Sequence, residues 1–256
     1  MTLLAAPLLA LLWTAAAGVG TPVASVASVA TPASLPATLD ALYARRDDPG
    51  ALREARRLAD EALARAPNDY GTLWRAARVL FTESDDKRRP DSDRSALGKQ
   101  AYELAERAIA VNPNDVAAQY WAALSIGSYA QGMGVLRALA NGIEAKFKRP
   151  LERATALDVA YDHGQIPVVW AAYYLELPWP KRDREKAAQQ LRQALQINPD
   201  NLRARLYQAR IASDEGHKDE ARALLAAIAA APVGRYDPPE ERAVKREAAA
   251  MAAGLH

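Results

Sequence analysis

The sequence predicts an all-α fold: helical hairpins stacked into one curved array. Three observations lead there. A segment recurs three times without gaps, at Ala55 to Asp69, Ala101 to Asp115 and Ala187 to Asn201, and internal repeats of this kind signal a solenoid. Apolar residues recur at helical spacing, as in Ala187, Leu191, Ala194 and Leu195, or Ala221, Leu224, Leu225 and Ile228. After residue 38 no stretch reads as a convincing run of strands.

The repeated segment carries Ala, a second Ala seven residues on, and Pro five beyond that. The sets are Ala55/Ala62/Pro67, Ala101/Ala108/Pro113 and Ala187/Ala194/Pro199. Two alanines at that spacing share a helical face that a second helix can approach closely. The Pro ends the helix, and the Asn or Asp residues after it can cap the next one. Seven residues past each Pro stands a side chain able to pack: Trp74, Tyr120 and Leu206.

The elements then follow in chain order. Leu3 to Ala17 is a short apolar run ending in small residues, which predicts a signal peptide and leader over 1–30 and a single helical domain over 31–256. Exported, the protein would be periplasmic, and with no cysteine it lacks a lipid-attachment site. The first two units end near 67 and 113. The interval between them exceeds the roughly 34 residues of a standard helical-hairpin unit. The excess falls on Glu83 to Ser95, "ESDDKRRPDSDRS", expected to be a long solvated loop. A third unit ends near 159, where Ala154 and Val159 are in register but the closing Pro is missing. Between units two and three, Gly127, Gly132, Gly134 and Gly142 weaken a continuous helix. Beyond Gly134, the spacing of Leu136, Ala140, Ile143 and Phe147 predicts an inserted amphipathic helix. A fourth unit ends near 199, a fifth hairpin runs from Asn201 to Ala231, and a helix over 239–253 caps the stack, because terminal repeats must cover an exposed face. In "LELPWPKRD", Pro178 ends one helix, Asp183 caps the next, and Trp179 is expected to fold back over the hairpin.

The Ala and Pro signature, with "EGHKDEA" at Glu215 to Ala221, resembles the tetratricopeptide repeat. Arg75 and Trp121 depart from it, standing where that pattern prefers a small residue. At a finer level, "ALDVAYDHG" ending at Gly164 and "ELPWP" from Glu176 resemble the TatT component proteins of tripartite ATP-independent periplasmic (TRAP) transporters. The likeness covers roughly residues 40 to 231. A more distant resemblance, carried by "GIEAKFKRPLERATALD", is to a microtubule-regulator family with similar repeats. The first resemblance implies a periplasmic binding component that holds a hydrophobic organic solute, carboxylates among the candidates, and docks a solute-binding protein. The alternative is a scaffold that takes a peptide or helix from a cell-envelope partner. Partners could also include a second copy of the chain.

Chemistry is sparsely supplied. The net charge is +2 with both signs interspersed, so no field favours nucleic acid. There is no cysteine. His163, His217 and His256 have no ligand partner at helical spacing, so neither a metal nor any other cofactor is expected. No nucleophile elbow or phosphate-cradling glycine loop occurs, and no enzyme is expected. What remains is aromatic. First helices of solenoid hairpins line the concave face, and the candidate cleft residues there are Trp121, Tyr129, Met133, Leu136, Trp170, Tyr173 and Tyr174.

Overall fold

The computed structural model describes residues 34–255, so the predicted leader lies outside the described residues. Twelve helices and no strand occur among them. They pair as antiparallel hairpins: α1 (Leu35–Tyr43) with α2 (Pro49–Arg65), α3 (Tyr70–Ser84) with α4 (Asp91–Val111), and α5 (Val116–Met133) with α7 (Ile143–Asp158). Next come α8 (Tyr161–Glu176) with α9 (Arg184–Ile197), and α10 (Leu202–Asp214) with α11 (Lys218–Ala230). The short α6 (Val135–Ala140) is inserted in the third hairpin, and α12 (Pro238–Ala253) caps the last one. The fold is an all-α solenoid of tetratricopeptide type.

The repeat signature does what its chemistry implies. Ala55, Ala101, Ala108, Ala187 and Ala194 are completely buried and Ala62 nearly so, all on second helices. Pro67, Pro113 and Pro199 lie just past those helices. Asp69, Asp115 and Asn201 then accept backbone N–H bonds at the starts of α3, α5 and α10. Asn201 does more than cap. It is fully buried, its Oδ1 accepts from Ala204 N at 3.0 Å, and its Nδ2 donates to the His163 carbonyl at 3.3 Å. Asn201→Ala should cost about 2 kcal/mol, from the lost cap and the stranded carbonyl together. Urea denaturation checks this, and a loss below about 0.5 kcal/mol would contradict it.

Where the signature breaks, a local substitute appears. Arg75 sends Nε and Nη2 to both oxygens of Asp40 on α1, at 2.9 and 2.7 Å, and lies over the Trp74 ring. Arg78, 8% exposed, meets the same carboxylate at 2.6 Å. Burial would raise Asp40, but these two guanidiniums outweigh it and hold the carboxyl below its ordinary range. Trp121 fills the space its size demands, with Tyr43, Phe81 and Tyr120 rings packed around it.

Four expectations need correction. The stretch Glu83 to Ser95 is not one solvated loop. Glu83, Ser84 and Arg94 are buried at helix ends, and only residues 85–90 connect them. Arg94 Nε donates to the Ser84 carbonyl at 3.1 Å, which draws the start of α4 back onto α3. The inserted amphipathic helix is really two, α6 and the start of α7, broken at Gly142 with φ +69°. Gly127 and Gly132 do not interrupt α5, which runs through both. Finally, Trp179 is 89% exposed: Leu177, 6% exposed, takes the buried place and the Pro-flanked ring points to solvent. Pro178 does follow the end of α8, and Asp183 does cap α9.

Candidate functional site

The first helices of the hairpins converge on a concave cavity of about 690 Å³. Each contributes residues three or four apart, as one face of a helix must. From α5 come Trp121, Leu124, Ser128 and Gln131. From α8 come Gln165, Val168, Val169, Ala172, Tyr173 and Glu176, and from α10 Arg203, Tyr207 and Arg210. Tyr43 of α1, Phe81 of α3 and Phe147 of α7 complete the aromatic wall, while α6 closes one side with Val135, Ala138 and Leu139.

Among the described residues the array curls until the turn after α1 meets α12. Arg46, in the turn after α1, donates to Asp237 at the start of α12. Arg242 of α12 returns the contact, pairing with Asp47 at 2.6 Å. On the same side Arg203 bridges Glu240 at 2.7 Å and Glu247 at 2.6 Å. The loop ahead of α12 is held by Glu241, a fully buried carboxylate. It accepts the backbone N–H groups of Gly234, Arg235 and Tyr236, the last two at 2.9 Å. Three convergent amides neutralise a buried carboxylate without a cation.

Against that seam, with the His163 ring 5.6 Å from that of Tyr236, the chain bends at Asp162, His163 and Gly164, three successive residues with φ of 52°, 59° and 81°. For Asp and His this left-handed backbone costs about 1–3 kcal/mol each. Asn201 holds the His163 carbonyl, and Tyr120 donates its O–H to Asp162 at 3.3 Å. Burial, and then the charge of Asp237, push the Asp162 carboxyl above its ordinary range. Burial likewise moves the nearby Tyr43 phenol up to about 12.

The seven candidate cleft residues divide. Trp121 and Tyr173 line the cavity. Tyr173 stacks on Phe147 at 5.2 Å between ring centroids and donates to Glu144 at 2.6 Å. Burial first, then that carboxylate, raise the Tyr173 phenol. Trp170 and Tyr174 stand behind it as support, stacked on each other, with Trp170 Nε1 donating to Thr155 at 2.9 Å. Tyr129 and Met133 pack instead into the core around Ile126 and Ala138. Leu136 is 72% exposed, because the break at Gly142 puts it out of phase with Ile143 and Phe147. Phe147 belongs to the apolar stripe expected in the inserted helix, but sequence reading missed Phe81, Val168, Asp162 and the α10 face. Their spacing was visible, but polar residues share that face, so no apolar stripe marks it.

No catalytic family is indicated. Among the described residues no cluster of three or more His, Cys, Asp or Glu could hold a metal. No described helix is long and apolar enough to cross a membrane.

Known proteins place this architecture. A tetratricopeptide-repeat family matches residues 181–237. The crystal structure of TTC0263, a tetratricopeptide-repeat protein of Thermus thermophilus, superposes with a TM-score of 0.60 at 19% identity, over 87% of this chain and 98% of its own; that likeness concerns the fold. Regulator of microtubule dynamics protein 1 of Pongo abelii is 25% identical over 146 residues, 51% of this chain, and the match spans about half (46%) of that protein's length. The family described as Regulator of microtubule dynamics protein 1-3 matches residues 36–163, from α1 through the bend at His163. That match covers half of the chain, and the chain therefore belongs to the Regulator of microtubule dynamics protein 1-3 family.

Proposed function

We propose that the protein is a non-enzymatic binding protein that holds an apolar organic solute in its concave cavity. One observation carries this: a space of about 690 Å³ walled by Phe81, Trp121, Phe147, Val168 and Tyr173. That volume suits a small organic ligand, and ligand sites are typically apolar walls with a few placed polar groups. The resemblance to TatT proteins supplies the setting: an exported, periplasmic component that docks the solute-binding protein of a TRAP-type transporter. Native mass spectrometry of gently purified protein tests the reading. Retained hydrophobic molecules support it, and an empty protein that takes up no apolar probe overturns it. Tyr173→Ala should lower solute affinity roughly tenfold, the equivalent of about 1.4 kcal/mol, by removing the ring stacked on Phe147. Unchanged affinity would remove Tyr173 from the site.

A second reading is favoured by the family match and by the repeat architecture, which commonly serves protein partners. In it the same concave face receives a peptide or helix of a cell-envelope protein. A polypeptide that copurifies and displaces an apolar probe would favour this scaffold role.

A further inference from the structure

We propose that the cavity selects an organic cation, an alkylammonium with an apolar tail, whose positive end lies beside Asp162. This rests on the solute-binding reading above and specifies the class of solute. The resemblance at sequence level implied carboxylates among the ligands; the charges lining this cavity point the other way.

Among the described residues that line it, seven are carboxylates and four are cations. Every one of those cations is already engaged. Arg46 meets Asp237, Lys87 meets Asp85 at 2.9 Å, Arg203 meets Glu240 and Glu247, and Arg210 meets Glu176 at 3.6 Å. An incoming carboxylate would have to displace a protein carboxylate from one of them. Glu144, the remaining acid apart from Asp162, is paired with Lys181. Asp162 alone among the lining carboxylates has no ion-pair partner among the described residues, and it keeps a single long hydrogen bond from Tyr120. It is half-buried and held in a left-handed backbone conformation that its surroundings must maintain. The guanidinium that acts on it, Arg46, is already paired with Asp237 and stands beyond ion-pair distance of Asp162, so a ligand cation completes the arrangement.

The neighbouring wall has the matching chemistry. Tyr120 and Trp121 pack edge to face at 5.0 Å, Tyr120 and Tyr161 at 5.2 Å, and Tyr43 lies edge-on to Trp121. Aromatic faces attract ammonium groups, most strongly where water is excluded. This wall already receives cations in that way: Arg46 and Arg78 lie over the Tyr43 ring at 4.4 and 3.9 Å. The apolar tail then has Leu124, Val169, Phe147 and Tyr173 to lie against.

The test compares three probes of one chain length, decyltrimethylammonium, decanoate and decanol, titrated below their aggregation limits into the full chain and followed by calorimetry. The ammonium should bind at least about tenfold more tightly than decanoate, a ratio read on the unaltered protein and so independent of any variant. In Asp162→Asn that ratio should fall close to one. Equal binding of all three probes, or a ratio that survives in D162N, overturns the cation assignment and leaves solute binding standing. Failure of all three to bind overturns both.

Discussion

Gly98→Leu should lower the melting temperature by roughly 6–12 °C, and Gly98→Ala by part of that. Gly98 is buried where α4 crosses α5, and its missing side chain is what brings the two backbones together. A Cβ built there would stand 2.7 Å from Tyr129 N and 3.2 Å from the Ser125 carbonyl. Those are backbone atoms of a continuous helix, so no rotamer change relieves the clash. Gly132 presents the reciprocal case, with Ser95 N at 2.8 Å and the Asp91 carbonyl at 2.9 Å. Overpacking of this kind costs about 1–3 kcal/mol, and backbone contact puts Gly98→Leu at or above the top of that range. In a domain of this size about 3 kcal/mol corresponds to the shift stated. Lys99→Leu, next door on the exposed side, should change stability by less than about 0.5 kcal/mol. Far-UV circular dichroism of both variants decides the matter, and a Gly98→Leu protein that melts like the parent would show that the crossing is not tight.

Glu241→Ala should be the most damaging change near the cavity's seam, costing about 3 kcal/mol or more. The carboxylate is fully buried and accepts three amides of the loop at Gly234 to Tyr236. Hydrogen bonds to a charged group contribute about 1.5–3 kcal/mol each, with losses that are not additive. The loop it holds carries two further contacts: Tyr236 accepts from Leu202 N at 3.1 Å, and Asp237 receives Arg46 and caps α12. Hydrogen exchange should therefore accelerate at residues 234–237 and also in the turn at 44–48, far away in sequence. Glu241→Gln, which keeps one acceptor oxygen but no charge, should fall between the parent and Ala. Acceleration confined to the loop would show that the seam does not depend on Glu241.

Much of the fold was legible because alanine and proline act locally. Ala101 and Ala108 announce a close helix contact, and Pro113 with Asp115 announces the end of one helix and the start of another. The sequence could not show where the array closes on itself, because Arg46 and Asp237 are ordinary surface residues until curvature brings them together. For the same reason Glu241, adjacent to Glu240 in a charged stretch, carries no local sign of its burial. Gly98 lies inside an unbroken helix, so no local signal in the sequence marks the close crossing. The cavity was half legible. Trp121 and Tyr173 follow from the rule that first helices line the concave side, whereas Leu136 failed because its periodicity was counted through the break at Gly142. Trp179 failed for a simpler reason: its neighbour Leu177 had already filled the slot.

The seam between the turn after α1 and the start of α12 has a consequence for how this molecule can change over time. An open-ended array tolerates the gain or loss of a unit, since each unit touches only its neighbours. Here an added or deleted hairpin would rotate Asp237 and Arg242 out of reach of Arg46 and Asp47. The five hairpins among the described residues are then tied together by closure much as strand number is tied to the closure of a barrel, and an altered corner length disturbs that closure less than an altered hairpin count.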